Sequence, residues 1–172
     1  MNQKIAAGIL ILSAIFSTWL YWGSDLKIEQ ILTSQEWQSR MVTLISEHIR
    51  EDAVGPLRQV KVSSNVKYLP NGTYIRVAIV KLYSANHPNN ESVINISESG
   101  SWEISDNYLL VSPTEFKDIS SSQNKDFTGS QLKLITQLFK MDAQQSRRID
   151  IVNEKTLLLT SLSHGSTVLF SN

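Results

Sequence analysis

Few side chains in this sequence could do chemistry near neutral pH. Its three histidines, His48, His87 and His164, stand far apart, with no cysteine and no His-x-x-x-His pair, so metal-ligand spacing is missing. They are expected to be surface or hydrogen-bonded histidines. Ser163 and His164 are adjacent, but sequence neighbours seldom meet as nucleophile and base; with Gly165 they read as a turn. The chain has no Gly-x-Ser-x-Gly elbow, phosphate-binding glycine loop or dinucleotide fingerprint. Sixteen carboxylates are spread along it without a pair set apart for acid–base work. The expectation is a non-enzymatic protein without cofactor or metal.

The elements that would position any site begin with Ile5–Trp22, a run without a charged residue. As a helix it would be roughly 27 Å long, enough for a thin hydrocarbon core. Trp19, Tyr21 and Trp22 gather at its end, where amphipathic rings favour the headgroup level, and Lys4 precedes it. The expected organisation is a cytoplasmic segment 1–4, a transmembrane helix 5–22 in the lipid bilayer, and an exported domain 23–172. A cleaved signal peptide would want small residues before the cut, where this chain has Tyr21 and Trp22. Without cysteine, the exported domain has no disulfide and its N-terminus carries no lipid. About 150 residues suffice for one core. Sixteen basic residues balance the sixteen acidic ones and intermix with them, so no basic patch points to direct nucleic-acid binding.

Within residues 34–49, Trp37, Met41, Leu44, Ile45, His48 and Ile49 recur at helical spacing, although the segment could also open a sheet. Strand signals follow. Leu57–Tyr68 leads through Asn71-Gly72, a hairpin signal, into the β-branched run Thr73–Tyr83. Ser92–Glu98, a turn at Ser99-Gly100, Trp102–Ile104, a turn at Asp106-Asn107 and Tyr108–Val111 come next, with Pro113 as a stop. From Thr128 to Arg148 the period becomes helical, with a capping box at Thr128 and Gln131 and a face of Leu132, Ile135, Leu138, Phe139 and Asp142. Three strands end the chain: Ile149–Val152, Thr156–Ser161 and Thr167–Phe170, joined by turns at Asn153-Glu154 and His164-Gly165. Mainly β with one packed helix, as an antiparallel barrel or sandwich, is the expected class.

Ser99-Gly100-Ser101-Trp102 followed by Tyr108–Val111 resembles the Gly-x-Trp unit of lipocalin-like barrels, in which an indole closes one end over the core. On that plan Glu36-Trp37-Gln38 opens the first strand. A closer resemblance runs nearly end to end, through Ser17–Asp25, Leu32–Met41, Ser64–Gly72, Val93–Leu110, Leu134–Arg148 and Val152–Phe170. Residues 46–58 and 84–91 match less well. In these segments the chain resembles the ToxS family of vibrio membrane regulators. The resemblance implies a bacterial inner-membrane protein, single-pass, with a periplasmic lipocalin-like barrel that is either closed alone or incomplete without its partner. It further implies binding to the periplasmic domain of a ToxR-like transcription activator, protection of that domain from proteolysis, and sensing of a bile salt by the pair. The rival class is a stand-alone periplasmic barrel that binds a small hydrophobic ligand.

A barrel of about eight strands can just hold one small ligand. The residues expected to line its cavity are Ile75, Val77, Ile79, Val93 and Leu110. Arg76 is expected to be exposed, and Trp37 and Trp102 to be structural.

Overall fold

A computed structural model describes residues 3–44, 55–85, 91–118, 127–162 and 165–171, without the side chains of 3, 4 and 20–24. The elements are α1 (Gln3–Ser34), β1 (Glu36–Leu44), β2 (Leu57–Tyr68), β3 (Thr73–Ser84), β4 (Glu91–Ser105), β5 (Tyr108–Asp118), α2 (Gly129–Ala143), β6 (Arg147–Asn153), β7 (Thr156–Ser161) and β8 (Gly165–Phe170). The strands form an antiparallel barrel in sequence order, closed from β8 back to β1. The ring thus closes within one chain, which decides between the two forms the sequence left open, a barrel closed alone and one incomplete without its partner. Closure is thin, however. Across the β1–β8 seam only Gln38 and Phe170 pair, and across the β5–β6 seam only Tyr108 with Arg148 and Leu109 with Arg147, among the described residues.

Several local expectations change for identifiable reasons. Residues 36–44 are strand, as the lipocalin-like plan has it and against the helical spacing, and pair in register with β2 from Glu36–Lys67 to Leu44–Gln59. Trp37 and Met41 are four apart, a spacing that fits one face of a helix and one face of a strand alike. Residues 45–49, His48 included, lie outside the described residues. At Ser99-Gly100 the chain does not turn: β4 continues, and the irregularity is a bulge in its pairing with β5, where Gly100 faces Pro113. A Cβ on Gly100 would stand 2.2 Å from the Ser112 carbonyl oxygen, so only glycine permits this approach. Pro113 therefore sits at a bulge, where a missing N–H is tolerated, and β5 runs on to Asp118.

The Asn71-Gly72 hairpin forms, but only Gly72 takes positive φ, +77°, because the loop starts earlier, with the Gly72 N–H donating to Leu69 O at 3.1 Å. Asn71 instead accepts from the Thr73 N–H at 3.1 Å. Asp106 and Asn107 both have positive φ, 52° and 64°, as a two-residue hairpin turn requires. In α2 the capping box of Thr128 and Gln131 is present, but the helix stops at Ala143 and Arg147 and Arg148 open β6. The β6–β7 turn falls at Glu154-Lys155, one residue later than expected. Ser163, His164 and His87 lie outside the described residues.

The interior divides into two clusters. At one end Ile28 and Leu32 of α1 pack with Trp37, Val66, Tyr68, Tyr74, Trp102, Leu109, Ile149, Leu157, Leu159 and Leu169. The Trp37 indole donates to Leu32 O at 2.9 Å, which fixes the passage from α1 into β1. The Trp102 indole donates to Leu69 O at 3.1 Å and Thr73 O at 2.9 Å, pinning the β2–β3 hairpin. Both tryptophans are structural, as expected. At the other end Ile135 of α2 and Phe127 pack on Leu57, Val62, Ala78, Val80, Leu82, Ile94 and Ile96.

Candidate functional site

Alternation along β3 sets what the interior contains. Tyr74, Ala78, Val80, Leu82 and Ser84 are buried, while Ile75, Val77 and Ile79 stand on the outer face at 53%, 51% and 41% exposure. On β4, Ile94, Ile96, Glu98 and Trp102 point inward. Val93, half-buried, pairs with Lys81, and Leu110, half-buried, pairs with Glu103; both share the outward parity. The structure therefore places the five expected lining residues on the outside of the barrel. Inward alternation from Trp102 would have found the parity of β4, since a closing indole must face the core.

The same alternation carries Arg76 into the barrel, against the expectation of an exposed residue. Its guanidinium donates to one oxygen of the fully buried Glu98 carboxylate, and the Tyr74 hydroxyl donates to the other. The Arg76 guanidinium also lies 5.4 Å from the Phe139 ring centroid. Tyr68 meets Tyr74 with ring centroids 6.0 Å apart and Trp102 edge-on at 5.6 Å. Burial pushes the Tyr68 phenol up to about 12. Burial, then the bond to Glu98, pushes the Tyr74 phenol further up still. Both are neutral at physiological pH, so the layer holds one carboxylate and one guanidinium in balance. A void of about 20 Å³ beside Tyr68, Tyr74 and Arg76 is about the size of one water.

Beyond this polar layer, toward α2, lies the large cavity, about 510 Å³. Its walls are Met41, Thr43, Leu57, Val60, Val62, Val80, Ile135, Leu138, Phe139 and Met141. Asp142, Gln145, Arg147, Ser161 and Thr167 add polar groups at its rim. Arg147 donates to Asp142 Oδ2 at 2.7 Å and to Asp142 O at 3.0 Å, so it neutralises the end of α2 even though it belongs to β6. Ser161 donates to Gln145 Oε1 at 2.9 Å. Met41 and Thr43 of β1 and Gly165 and Thr167 of β8 line the cavity on the side of the β1–β8 seam. An apolar chamber of this size with a polar rim suits binding of an amphipathic small molecule. Among the described residues no His, Cys, Asp and Glu side chains group so as to hold a metal.

The family model for "Trans-membrane regulatory protein ToxS" matches residues 21–170. The chain belongs to the ToxS family. It is 71% identical over 171 residues to the transmembrane regulatory protein ToxS of Vibrio cholerae, covering 99% of this chain and 98% of that one. To the ToxS of Vibrio parahaemolyticus it is 70% identical over 172 residues, covering all of both. Members of the ToxS family are regulatory membrane proteins and not enzymes. Among the described residues no helix is long and apolar enough to cross a membrane. The expected span 5–22 reaches past Trp19 into residues whose side chains lie outside the described set.

Proposed function

We propose that this chain is a single-pass inner-membrane regulator whose periplasmic barrel binds and stabilises the periplasmic domain of a ToxR-like transcription activator. Protection of that domain from proteolysis then promotes expression of virulence and outer-membrane protein genes. The observation that carries the docking mode is the thin β1–β8 seam. Past Gln38, β1 continues to Leu44 without a partner from β8 among the described residues, and Met41, Val42 and Leu44 are exposed there at 43%, 59% and 73%. Such an edge accepts an extended segment of another chain through main-chain hydrogen bonds. Binding only the folded partner lowers the population open to proteases.

The anchor reading draws support from α1, where Ile5, Ile9, Leu10, Ile11, Leu12, Ile15, Phe16 and Trp19 are all exposed on an unbroken helix. A helix apolar all round needs an apolar surrounding. With residues 1–4 cytoplasmic and 5–22 in the bilayer, the barrel is periplasmic. The cavity beside the seam gives a bile salt a place, its apolar body against Val62, Val80 and Phe139 and its anion toward the Arg147 rim. A ligand bridging cavity and partner shifts the equilibrium toward the complex. The same cavity also favours the second reading, a barrel that binds a small hydrophobic ligand without any partner.

Light scattering on a mixture of this full-length chain and the ToxR-like periplasmic domain tests the proposal. A new 1:1 species with raised thermal stability is expected, together with a shorter regulator lifetime in cells lacking this chain. A barrel that ignores the regulator and leaves its lifetime unchanged would favour the second reading.

A further inference from the structure

The polar layer inside the barrel carries a donor from which no described group accepts. Arg76 Nε is buried and has no hydrogen-bond partner among the described residues. A buried N–H on a cation is costly unless something accepts from it. Arg76 lines the void of about 20 Å³ together with Tyr68 and Arg147. The Tyr68 hydroxyl likewise makes no hydrogen bond among the described residues. Glu98 accepts from a terminal nitrogen of Arg76 and from the Tyr74 hydroxyl, and Asp142 accepts from Arg147 at 2.7 Å. Neither carboxylate lines the void, whereas both arginines do.

Charge and size select the occupant. Burial is the main influence on the Tyr68 phenol and raises it; after that Arg76 and Arg147 lower it, each more strongly than Glu98 raises it. The phenol oxygen therefore lies in a net positive field. The end of α2, which would otherwise repel an anion, is capped. Met141 O accepts from the Gln144 N–H at 3.3 Å, and Asp142 O from the Gln145 N–H at 3.3 Å and from Arg147 at 3.0 Å. The void has room for one water-sized body, so a carboxylate or phosphate group is too large for it. A water there would have to place two hydrogens of its own among donors, and an anion has none to place. We infer that the void binds a single halide ion, chloride under ordinary salt, held by Arg76 Nε, the Tyr68 hydroxyl and the Arg147 guanidinium. Such an ion binds only the folded barrel, so halide concentration sets part of its stability by mass action. The inference rests on neither the anchor, the partner nor the large cavity.

Urea unfolding of the full-length chain in an uncharged detergent tests this, with sodium chloride compared against sodium gluconate at equal ionic strength. Gluconate is too large to enter. The wild-type chain should gain stability with chloride in a saturable way, and should not do so with gluconate. Loss of the Arg76 side chain would strand Glu98 and unfold the barrel, so the test variant is Tyr68→Phe, which keeps the ring and removes one donor. It should need about tenfold more chloride for half the gain, the worth of one hydrogen bond to a charged group. Diffraction from crystals grown in sodium bromide should show an anomalous peak bounded by Arg76, Tyr68 and Arg147. Equal stability in chloride and gluconate, or an unchanged chloride dependence in Tyr68→Phe, would overturn the inference and leave the void to a water. So would a bromide peak without any chloride-linked gain, which would mark an adventitious ion only.

Discussion

The two ends of the barrel are built from the same strands and differ in how they are filled. At the α1 end, four aromatic residues, Trp37, Tyr68, Tyr74 and Trp102, pack with the helix residues Ile28 and Leu32, beside a void of about 20 Å³ near the polar layer. At the α2 end a 15-residue helix closes over a cavity of about 510 Å³, and the β1–β8 seam parts beside it. The Arg76–Glu98–Tyr74 layer stands between them. The difference separates the two ends: one holds the barrel on its helix, and the other keeps an open chamber beside a thinly paired edge.

If that division holds, the largest stability losses come from the filled end. Trp37→Ala removes a fully buried indole and its bond to Leu32 O, and should cost about 3–5 kcal/mol in urea unfolding of the full-length chain. Glu98→Ala strands the Arg76 guanidinium in the interior and should cost roughly 3 kcal/mol in the same assay, whereas joint replacement of both by apolar residues should recover much of it. A loss well below 1 kcal/mol for either single change would contradict the assignment of the filled end as the structural one.

Alkaline pH acts on the filled end, because the raised phenols Tyr68 and Tyr74 both belong to it. A phenol held protonated in the fold but free to ionise in the unfolded chain makes stability fall as pH rises above about 10. For Tyr68 the fall continues to about pH 12, where the folded phenol itself ionises. The slope is about 1.4 kcal/mol per pH unit for one such tyrosine, and Tyr68→Phe should flatten it. The smallest effect is expected in the cavity. Val62→Phe grows into open space and should change stability by less than about 1.5 kcal/mol, while Val66→Phe, two positions along the same inner face of β2, overpacks by about 1–3 kcal/mol. Val62→Phe should nonetheless abolish ligand binding measured by calorimetry.

What the sequence made legible follows the same divide. The elements with local chemistry came through: the Thr128 capping box, the Asp106-Asn107 turn, the structural Trp102 and the paired strands around Asn71-Gly72. The mainly β class was readable from those elements, and the family from the resemblance that runs nearly end to end. Strand parity was not, because β3 carries branched apolar residues on both faces, Ile75, Val77 and Ile79 outside and Ala78, Val80 and Leu82 inside. Hydropathy cannot choose between two such faces, and slipping by one residue exchanges them. Arg76 misleads for the same reason, since its charge argues for solvent while Glu98, distant in sequence, supplies its partner inside. Met41 reads as helix or strand because its spacing from Trp37 suits both.

The exposed stripe Ile75, Val77 and Ile79 offers a competing place for a partner, so the docking mode is decided by which surface is covered. Amide hydrogen exchange on the full-length chain, with and without the ToxR-like periplasmic domain, reads this directly. Docking at the open end predicts new protection at residues 38–44 and 165–170, with little change along β3. Protection confined to residues 73–79, with the β1–β8 seam exchanging as in the free chain, would contradict it.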